Sequence, residues 1–427
     1  MADAQQYKKV REIVETESSR KVVVVSAAGK RFSGDNKITD LLYLCYAHLQ
    51  YGVNCEGIFD MIAERYIGIR NDLGLSIDIE ADLDSIRKKI ASGITQDALV
   101  SRGEYLSARL LADYLGFKFV DATEWLTFKF DGSIDLEKSY AKLQNIPYEK
   151  GIVIPGFYGI LPNAKIKVLT RGGSDITGAL AAAALKADVY ENWTDVSGVL
   201  MADPRIVDDP KPIKHITYDE LRELSYMGAT VLHEEAIFPV RKEGIPINIR
   251  NTNRPEDKGT FIVESTCKKA KYVITGIAGK KGFCSINVEK SMMNSEIGFG
   301  RKVLQVFEEY GLSFEHMPSG IDTLTVFVHQ DEFMDKEQQV VSGIHRLAKP
   351  DTIDIEADLA LIAVVGRGMK STRGTAGRIF SALAHADVNV KMIDQGSSEL
   401  NIIIGVRNDD FEKAIKAIYD IFVITRL

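Results

Sequence analysis

A glycine-rich turn carries the strongest chemical signal in the sequence. The segment Leu169–Thr177 (LTRGGSDIT) follows a short apolar run that predicts a strand, and it opens an alanine-rich stretch that predicts a helix. Its two glycines let the backbone approach an anion, and a helix N-terminus presents unpaired N–H groups. Ser174 or Asp175 could cap that helix. The two-pronged guanidinium of Arg171 suits a carboxylate or a phosphate, so the pattern predicts an anion site. The structural alternative is an ordinary capped turn with a surface arginine.

Three further polar clusters stand where predicted strands end or predicted helices begin. They are Ser26–Gly29 with Thr39 after it, Ser101–Glu104, and Trp193–Gly198 with Asp203–Arg205 after it. Strand-end loops that carry Gly, Thr and Asp are where open α/β sheets bind ligands. The second cluster has a structural alternative, because an acidic residue in the first turn of a helix also favours the helix dipole.

The common nucleotide-binding motifs are missing from the sequence. Gly29-Lys30 and Gly279-Lys280 lack both the upstream glycine and the following Ser or Thr of a Walker A loop. The GRG segment at Gly366–Gly368 follows a predicted strand, but the third glycine of a dinucleotide loop is absent. Any nucleotide site must therefore use another type of loop.

Alternating strand and helix patterns must position these clusters. Up to about residue 265 the alternation predicts an α/β sandwich around a mainly parallel sheet, with the charged helical stretch Arg65–Gln96 as an elaboration. Beyond it the sequence repeats with an offset of 76 residues, as in Gly298 and Gly374 or Val303 and Ile379. Two copies predict a duplicated small α+β domain and not a solenoid.

Composition excludes several classes of protein. A net charge of −7 over 427 residues argues against general binding to nucleic acid or anionic membranes, which needs a positive surface. The longest apolar runs fall short of the roughly 20 residues of a membrane span. The 4 cysteines form no CxxC or zinc-type spacing, so no metal site of protein ligands is expected. Reduced thiols in a cytoplasmic protein are the interpretation that fits this pattern.

Together these segments resemble the aspartokinases, which have the amino-acid kinase fold. The matching segments are SAAGK at Ser26–Lys30, SRGE at Ser101–Glu104, PGFYG at Pro155–Gly159, TRGGSD at Thr170–Asp175, WTDVSGV at Trp193–Val199, ADPR at Ala202–Arg205, GATVLHEEA at Gly228–Ala236, IRNT at Ile249–Thr252 and Gly259-Thr260. The repeat resembles the paired ACT domains of that family, including GRGM at Gly366–Met369 and SSELN at Ser397–Asn401. The resemblance covers essentially the whole chain.

The resemblance implies a fold and a reaction. The fold is an amino-acid kinase-type α/β/α sandwich over residues 1–265, followed by two ferredoxin-like α+β ACT domains. The first ACT domain takes residues 282–350, and the second takes 271–281 together with 351–427. The reaction transfers the γ-phosphoryl group of MgATP to the β-carboxylate of L-aspartate. A carboxylate is already a nucleophile at pH 7, so the enzyme must hold two anions in line and screen their repulsion.

Site residues follow from the resemblance, position by position. The expected catalytic residues are Arg171, Asp175 and Glu104. Arg171 should bind the substrate α-carboxylate, while Glu104 and Asp175 should meet the α-ammonium group; Thr39 and Phe157 should line the same pocket. The expected ATP contacts are Ser26, Gly29, Gly172, Gly173, Ser174, Thr194, Asp195 and Arg205.

The sequence departs from the family pattern in three respects. The family's initial strand carries Lys-Phe-Gly-Gly, whose lysine binds the transferred phosphate, and this chain begins at Met1-Ala2-Asp3 without that motif. Thr230 stands where a nucleotide-side lysine is expected, and Leu200 stands where a tyrosine is common. Loss of a phosphate-binding lysine could abolish turnover. The alternative hypothesis is therefore a non-catalytic amino-acid-binding regulatory subunit; a kinase of this fold for glutamate or a nucleoside monophosphate is a weaker third.

ACT domains in this family dimerise and bind an amino acid at the interface. The expected effector contacts are Met292, Gly298, Phe299, Ser313, Glu315 and Ser319, with Asn389, Gln395 and Ser398 as the set in the second copy. Glu315 suits the cationic side chain of lysine, so lysine is the favoured inhibitor and threonine the alternative. The expectation is a feedback-inhibited enzyme that takes the first step of lysine, threonine and methionine biosynthesis, as a dimer or tetramer. No appended homoserine dehydrogenase domain is expected.

Overall fold

The computed structural model describes residues 1–170, 172–229, 232, 234–266 and 272–425. The chain divides into two compact units: Met1–Gly198 with Leu232–Glu264, and Val199–Val231 with Ser265–Leu427. Among the described residues, no helix combines the length and the apolar character that crossing a membrane requires.

The first unit alternates helices and strands. Its elements are α1 (Ala4–Thr16), β1 (Val22–Val25), α2 (Ile38–Gln50), α3 (Glu56–Leu73), α4 (Ile79–Ala91), α5 (Gln96–Val100), α6 (Arg102–Leu115), β2 (Lys118–Phe119), α7 (Ala122–Trp125), α8 (Leu136–Gln144), β3 (Ile152–Pro155), β4 (Tyr158–Ile160), β5 (Ile166–Val168), α9 (Gly173–Leu185) and β6 (Tyr190–Thr194). Next along the chain come β7 (His215–Thr217) and α10 (Tyr218–Tyr226) of the second unit, and then α11 (Glu234–Lys242), β8 (Ile247–Asn251) and β9 (Thr260–Val263) of the first.

Parallel pairing dominates the strands that carry the expected site loops. β3 lies between β1 and β2 and is parallel to both, with Val22 opposite Ile152. β6 is parallel to β8, whereas β8 and β9, and likewise β4 and β5, are antiparallel. Because parallel strands all end at one edge, the loops that follow β1 and β3 leave the sheet together. The charged stretch Arg65–Gln96 forms parts of α3 and α5 and all of α4.

The apolar core of the first unit explains these elements. α3 buries Phe59, Ile62, Tyr66 and Ile69 on one face, at the spacing of an amphipathic helix. The helix then ends at Gly74, whose φ of 64° is the left-handed conformation that closes a helix at little cost to glycine. These side chains join one cluster with residues of α2 and α6.

The second unit contains a five-stranded sheet with the strand order β11-β10-β12-β14-β13. Its remaining elements are β10 (Gly276–Glu289), α12 (Phe299–Glu309), β11 (Thr323–His329), α13 (Gln330–Met334), α14 (Glu337–Ala348), β12 (Thr352–Val365), α15 (Thr375–His385), β13 (Met392–Asp394), β14 (Asn401–Arg407) and α16 (Phe411–Tyr419). The described pairings in this sheet are antiparallel. β10 pairs along most of its length with β12, so the two strands run through both copies of the repeat.

The internal repeat has the same backbone geometry in both copies. Gly298 and Gly374 are the N-cap residues of α12 and α15, with φ values of 82° and 80°. Val303 of α12 and Ile379 of α15 both have no exposed surface. These two pairs of the 76-residue offset are thus equivalent in structure as well.

Candidate active site

The glycine-rich turn forms the N-terminus of α9. Gly172 is the N-cap residue with a φ of 75°, and no side chain caps the helix there. The expectation that Ser174 or Asp175 caps the helix is wrong, because α9 begins at Gly173 and both residues already lie in its first turn. Among the described residues, the N-cap of α9 supplies no side-chain cap, and a helix N-terminus of this kind suits an anionic ligand.

This turn packs tightly against the turn that follows β3. A Cβ atom on Gly173 would lie 2.6 Å from the ring of Phe157, and one on Gly156 would lie 2.7 Å from the Cα of Ser174. Phe157 has a φ of 78°, a conformation that costs energy outside glycine, and its N–H donates to the Thr177 hydroxyl at 3.0 Å. The structure thus brings Phe157, Gly173 and Ser174 together, and close approach explains both glycines.

Asp175 is held by two residues of β6 that sequence analysis missed. Asn192 Nδ2 donates to Asp175 Oδ1 at 2.8 Å, and the Tyr190 hydroxyl donates to the Asp175 carbonyl oxygen at 3.1 Å. Burial raises the pKa of the Tyr190 hydroxyl, which keeps it a donor. A signal was available, because Tyr190, Asn192 and Thr194 alternate along one strand and so share a face.

Glu104 is the most unusual group in the first unit. Its side chain is 4% exposed, and Oε2 has no hydrogen-bond partner among the described residues. Burial raises the pKa of its carboxyl to about 8, although a hydrogen bond from the backbone N–H of Ala27 acts in the opposite direction. A buried carboxyl oxygen without a hydrogen-bond partner lowers the stability of the fold unless a ligand donates a hydrogen bond to it. A cationic group of a ligand would do so.

The Ser26–Gly29 cluster lies next to Glu104. A Cβ atom on Gly103 would come within 2.8 Å of the Ala27 side chain, so only glycine lets α6 approach this loop so closely. Ser26 is exposed directly after β1, and Gly29 faces open space. Thr39 lies half-buried in the first turn of α2. The structure therefore brings the first two clusters into contact through Ala27 and Glu104.

The loop after β6 is held by polar contacts within the first unit. The Thr194 hydroxyl donates to Asp195 Oδ1 at 3.2 Å, and the Ser197 hydroxyl donates to Asp257 at 2.6 Å. Gly198 has a φ of 102°, and a Cβ there would lie 2.4 Å from the Thr260 hydroxyl oxygen. Thr194 and Asp195 are thus presented on a loop whose end is fixed by close packing.

Four expected positions lie elsewhere. Arg171 and Thr230 lie outside the described residues, so the structure places neither side chain. Leu200 and Arg205 belong to the second unit. Arg205 is 88% exposed there, and its guanidinium binds Asp203 at 2.6 Å.

In the second unit the expected effector residues surround the start of α12 and the segment before β11. Met292 is 69% exposed with a φ of 63°, and Gly298 caps α12. Phe299 is buried in the apolar core of its copy. Ser313 and Ser319 are exposed, and Ser319 lines an open cavity of about 530 Å³.

Glu315 has partners of its own in the second unit. Its carboxylate lies 3.2 Å from His329 Nε2, and its side chain is 7% exposed. Burial, together with a hydrogen bond to Glu315, raises the pKa of Tyr226 to about 12. Asn389, Gln395 and Ser398 of the second copy are exposed.

The described residues contain no group of three or more His, Cys, Asp or Glu side chains that could hold a metal ion. Mg²⁺ that is held mainly by the phosphates of a nucleotide needs few protein ligands, and the carboxylates of Asp175 and Asp195 are of the type that it takes.

Comparisons with known proteins agree along the chain. Residues 1–251 match the model of the amino acid kinase family, and residues 362–422 match an ACT domain model. The chain is 40% identical to aspartokinase 3 of Bacillus subtilis, an alignment that covers 99% of this chain and 96% of that protein. The crystal structure of Clostridium acetobutylicum aspartate kinase, described as an allosteric enzyme, is 50% identical with a TM-score of 0.91, covering 99% of this chain and 97% of that one.

Two solved structures of E. coli aspartokinase III share the fold at lower identity. The structure with aspartate and ADP is 23% identical with a TM-score of 0.71, and covers 99% of this chain and 97% of that one. The structure with lysine and aspartate is 24% identical with a TM-score of 0.73, and covers 98% of this chain and 96% of that one.

Proposed function

This chain belongs to the aspartokinases, kinases that phosphorylate the carboxyl group of aspartate, and from that premise we propose the complete reaction. The γ-phosphoryl group of ATP is transferred to the β-carboxylate of L-aspartate, which gives 4-phospho-L-aspartate. The substrate carboxylate is itself the nucleophile, so the protein needs no general base. Its task is to bind two anions in line and to stabilise the charge that spreads over the transferred group.

The observation that supports this proposal best is the unpartnered oxygen of buried Glu104. In the proposed complex the α-ammonium of aspartate donates a hydrogen bond to the Glu104 carboxylate. This bond replaces the water molecules that the ammonium group loses when it enters the buried pocket. Asp175, oriented by Asn192, faces the same ammonium group. Arg171 binds the α-carboxylate, and the ring of Phe157 and the hydroxyl of Thr39 complete the pocket.

The N-terminus of α9 supplies the second part of the mechanism. We assign the N–H groups of Gly172, Gly173 and Ser174 to the phosphates, where a helix N-terminus favours negative charge. Ser26 and Gly29 lie beside the phosphates, and Thr194 and Asp195 contact the rest of the nucleotide. Mg²⁺, when bound with ATP, screens the negative charge of the phosphates.

The ACT region supports a proposal of feedback inhibition. We propose lysine as the inhibitor and threonine as the alternative, with Glu315 as the acceptor for the lysine side chain. In the same proposal, copies of the chain associate through the ACT domains as a dimer or a tetramer. The role in lysine, threonine and methionine biosynthesis follows from the same proposal. Cytoplasmic location stays a prediction from cysteine use: Cys45, Cys55 and Cys284 are free, and Cys267 lies outside the described residues.

The test is hydroxylamine trapping of aspartyl phosphate. The 427-residue chain is incubated with L-aspartate and MgATP, with and without lysine or threonine, and hydroxamate is measured. Hydroxamate that requires both substrates supports the kinase reaction, and suppression by one amino acid identifies the inhibitor. Glutamate replaces aspartate in a parallel control and should give none.

The opposite result has a defined meaning. A folded chain that binds lysine by calorimetry but yields no hydroxamate contradicts the proposed reaction. The alternative hypothesis of an amino-acid-binding regulatory subunit would then be supported, and mixing with a catalytically active aspartokinase would test it directly.

A further inference from the structure

One buried ion pair in the first unit lies beside the expected substrate pocket, and neither the resemblance nor the proposed reaction assigns it a role. It connects α3 to the loop between β1 and α2. That loop carries Gly29 near its start, and Thr39 follows it in the first turn of α2. A hydrogen bond from the Ile38 N–H to the Ala28 carbonyl closes the loop at its base.

Arg65 of α3 holds this loop at two points. Its Nη1 donates to the Gly29 carbonyl oxygen at 3.1 Å, and its Nη2 lies 2.9 Å from both carboxylate oxygens of Asp35. The side chains of Arg65 and Asp35 are only 6% and 8% exposed. A guanidinium can make these contacts together because its donors form a rigid planar fork, which an ammonium group cannot reproduce.

Asp35 fixes the loop from the inside. Its carboxylate accepts hydrogen bonds from the backbone N–H and the Nε of Arg31, each at 2.9 Å. Hydrogen bonds from Arg31, together with the charge of Arg65, hold the pKa of Asp35 well below its usual range. The carboxylate is therefore ionised near neutral pH, where the ion pair is formed.

The contact continues from Arg65 to the pocket through the backbone. Fixing the Gly29 carbonyl fixes the peptide plane beside it, and two residues earlier Ala27 packs closely against Gly103, the residue before Glu104. We propose that Arg65 is a positioning residue for the kinase reaction: through Asp35 and the Gly29 carbonyl it holds the loop after β1 in the conformation that presents Gly29 and Ala27 to the substrates. This inference rests on the proposed function.

The energetics of burial favour this role over simple stabilisation. Removing two charges from water costs about as much as their attraction returns, and apolar replacements are often equally stable. The ion pair instead fixes one conformation of the loop that it holds. A loop that must approach phosphates and a buried carboxylate needs that geometry, since a misplacement of about 1 Å can cost roughly 100-fold in rate.

The test uses four variants: R65K, R65Q, D35N and the double variant R65Q/D35N. The control is R87Q, which removes an exposed arginine of α4 that pairs with Asp60 of α3 at 2.6 Å. We expect R65Q to raise the KM for aspartate about 10- to 100-fold, with a smaller change in kcat. R65K should have a KM for aspartate between those of the wild type and R65Q. The KM of the double variant should be no higher than that of R65Q. The KM and kcat of R87Q should stay within twofold of the wild-type values.

A second readout follows the loop itself. Trypsin should cleave after Lys30 and Lys37 faster in R65Q than in the wild type or in R87Q, which mass spectrometry of the fragments measures. Should R65Q fail to fold, R65K and D35N decide the question by the same two readouts. Variants that stay folded and keep wild-type KM and kcat overturn the proposal, whatever the cleavage rate. Absence of hydroxamate from the wild type would instead contradict the proposed function, while the cleavage assay would still report on the loop.

Discussion

Glu220 and Arg367 form a buried ion pair in the second unit, with Arg367 Nη1 2.7 Å from Glu220 Oε2. Glu220 has no exposed surface, and it also accepts hydrogen bonds from the Thr275 hydroxyl at 2.6 Å and the Arg367 N–H at 2.9 Å. Burial acts to raise the pKa of Glu220, but these hydrogen bonds outweigh it and the pKa is lowered. The pair ties α10 to the loop that follows β12.

Removing the cation of this pair should destabilise the second unit. R367A leaves a fully buried carboxylate without its counter-charge, which costs about 3–5 kcal/mol of unfolding free energy. Denaturant unfolding followed by circular dichroism measures it, with R346A as the control, since the exposed pair of Arg346 and Glu309 should contribute less than about 1 kcal/mol. If R367A and R346A lost equal amounts of unfolding free energy, burial of Glu220 would not explain the contribution of its ion pair. Because the folded pKa of Glu220 is lowered, its contribution should fade as the pH falls below the ordinary range of glutamate.

Aspartate binding should depend on pH through Glu104. Below a pKa of about 8 the empty site is protonated, so the KM for aspartate should rise up to about tenfold for each pH unit as the pH falls. E104Q should lose this dependence and at least about 100-fold in kcat/KM. The exposed E12Q serves as the control, and a wild-type profile that is flat between pH 6 and 9 would refute the assignment.

The same carboxyl predicts an opposite effect on stability. A folded pKa raised above the unfolded value means that the wild type loses stability as the pH rises through about 8. E104Q cannot ionise, so between pH 5 and pH 8 its Tm should fall less than that of the wild type, whose loss of stability is nearly complete above pH 8. Parallel Tm curves for both proteins would show that Glu104 does not titrate in this range.

Close packing between the two turns predicts a sharp effect of one methyl group. In G156A the new Cβ would lie 2.7 Å from the backbone of Ser174, so the turn must move, and kcat/KM should fall more than tenfold with a lower Tm. G57A is the matched control, because its Cβ meets no atom within 4 Å at the start of α3. That change should leave the kinetics unchanged and keep or raise the Tm. Similar behaviour of both variants would argue against the close contact.

The bond between Asn192 and Asp175 predicts a graded response. N192A removes the hydrogen bond from Asn192 to the Asp175 carboxylate and should raise the KM for aspartate about three- to tenfold with little change in kcat. N192D places a second carboxylate beside that of Asp175 and should raise the KM for aspartate more than N192A does. N145A, which removes an exposed hydrogen bond to a helix carbonyl, is the control. Wild-type KM in both Asn192 variants would exclude a role in orienting Asp175.

The proposed role of Glu315 in binding lysine predicts an effect on feedback inhibition. E315Q removes the charge expected to meet a lysine side chain, so the lysine concentration for half-inhibition should rise at least about tenfold while uninhibited activity is kept. The exposed E332Q is the control. Unchanged inhibition in E315Q would remove Glu315 from the effector site, and inhibition by threonine alone would favour the alternative inhibitor.

Sequence periodicity and residue types determined the class of the fold and the kind of chemistry. The strand–turn–helix pattern at Leu169–Thr177 and the repeat after residue 265 are local features, so they can be recognised without coordinates. The cap of α9 could not be recognised in this way, because whether Ser174 caps the helix or lies inside it depends on the left-handed backbone at Gly172.

Tertiary packing alone decided which of these residues meet. Glu104 and Ala27, Asp175 and Asn192, and Arg65 and Gly29 are distant in sequence, and helices and strands must pack before any of the pairs exists. Burial decided the electrostatics in the same way. The sequence supplies a glutamate at position 104, but only the surrounding apolar core removes its water, raises its pKa and leaves one oxygen for a ligand.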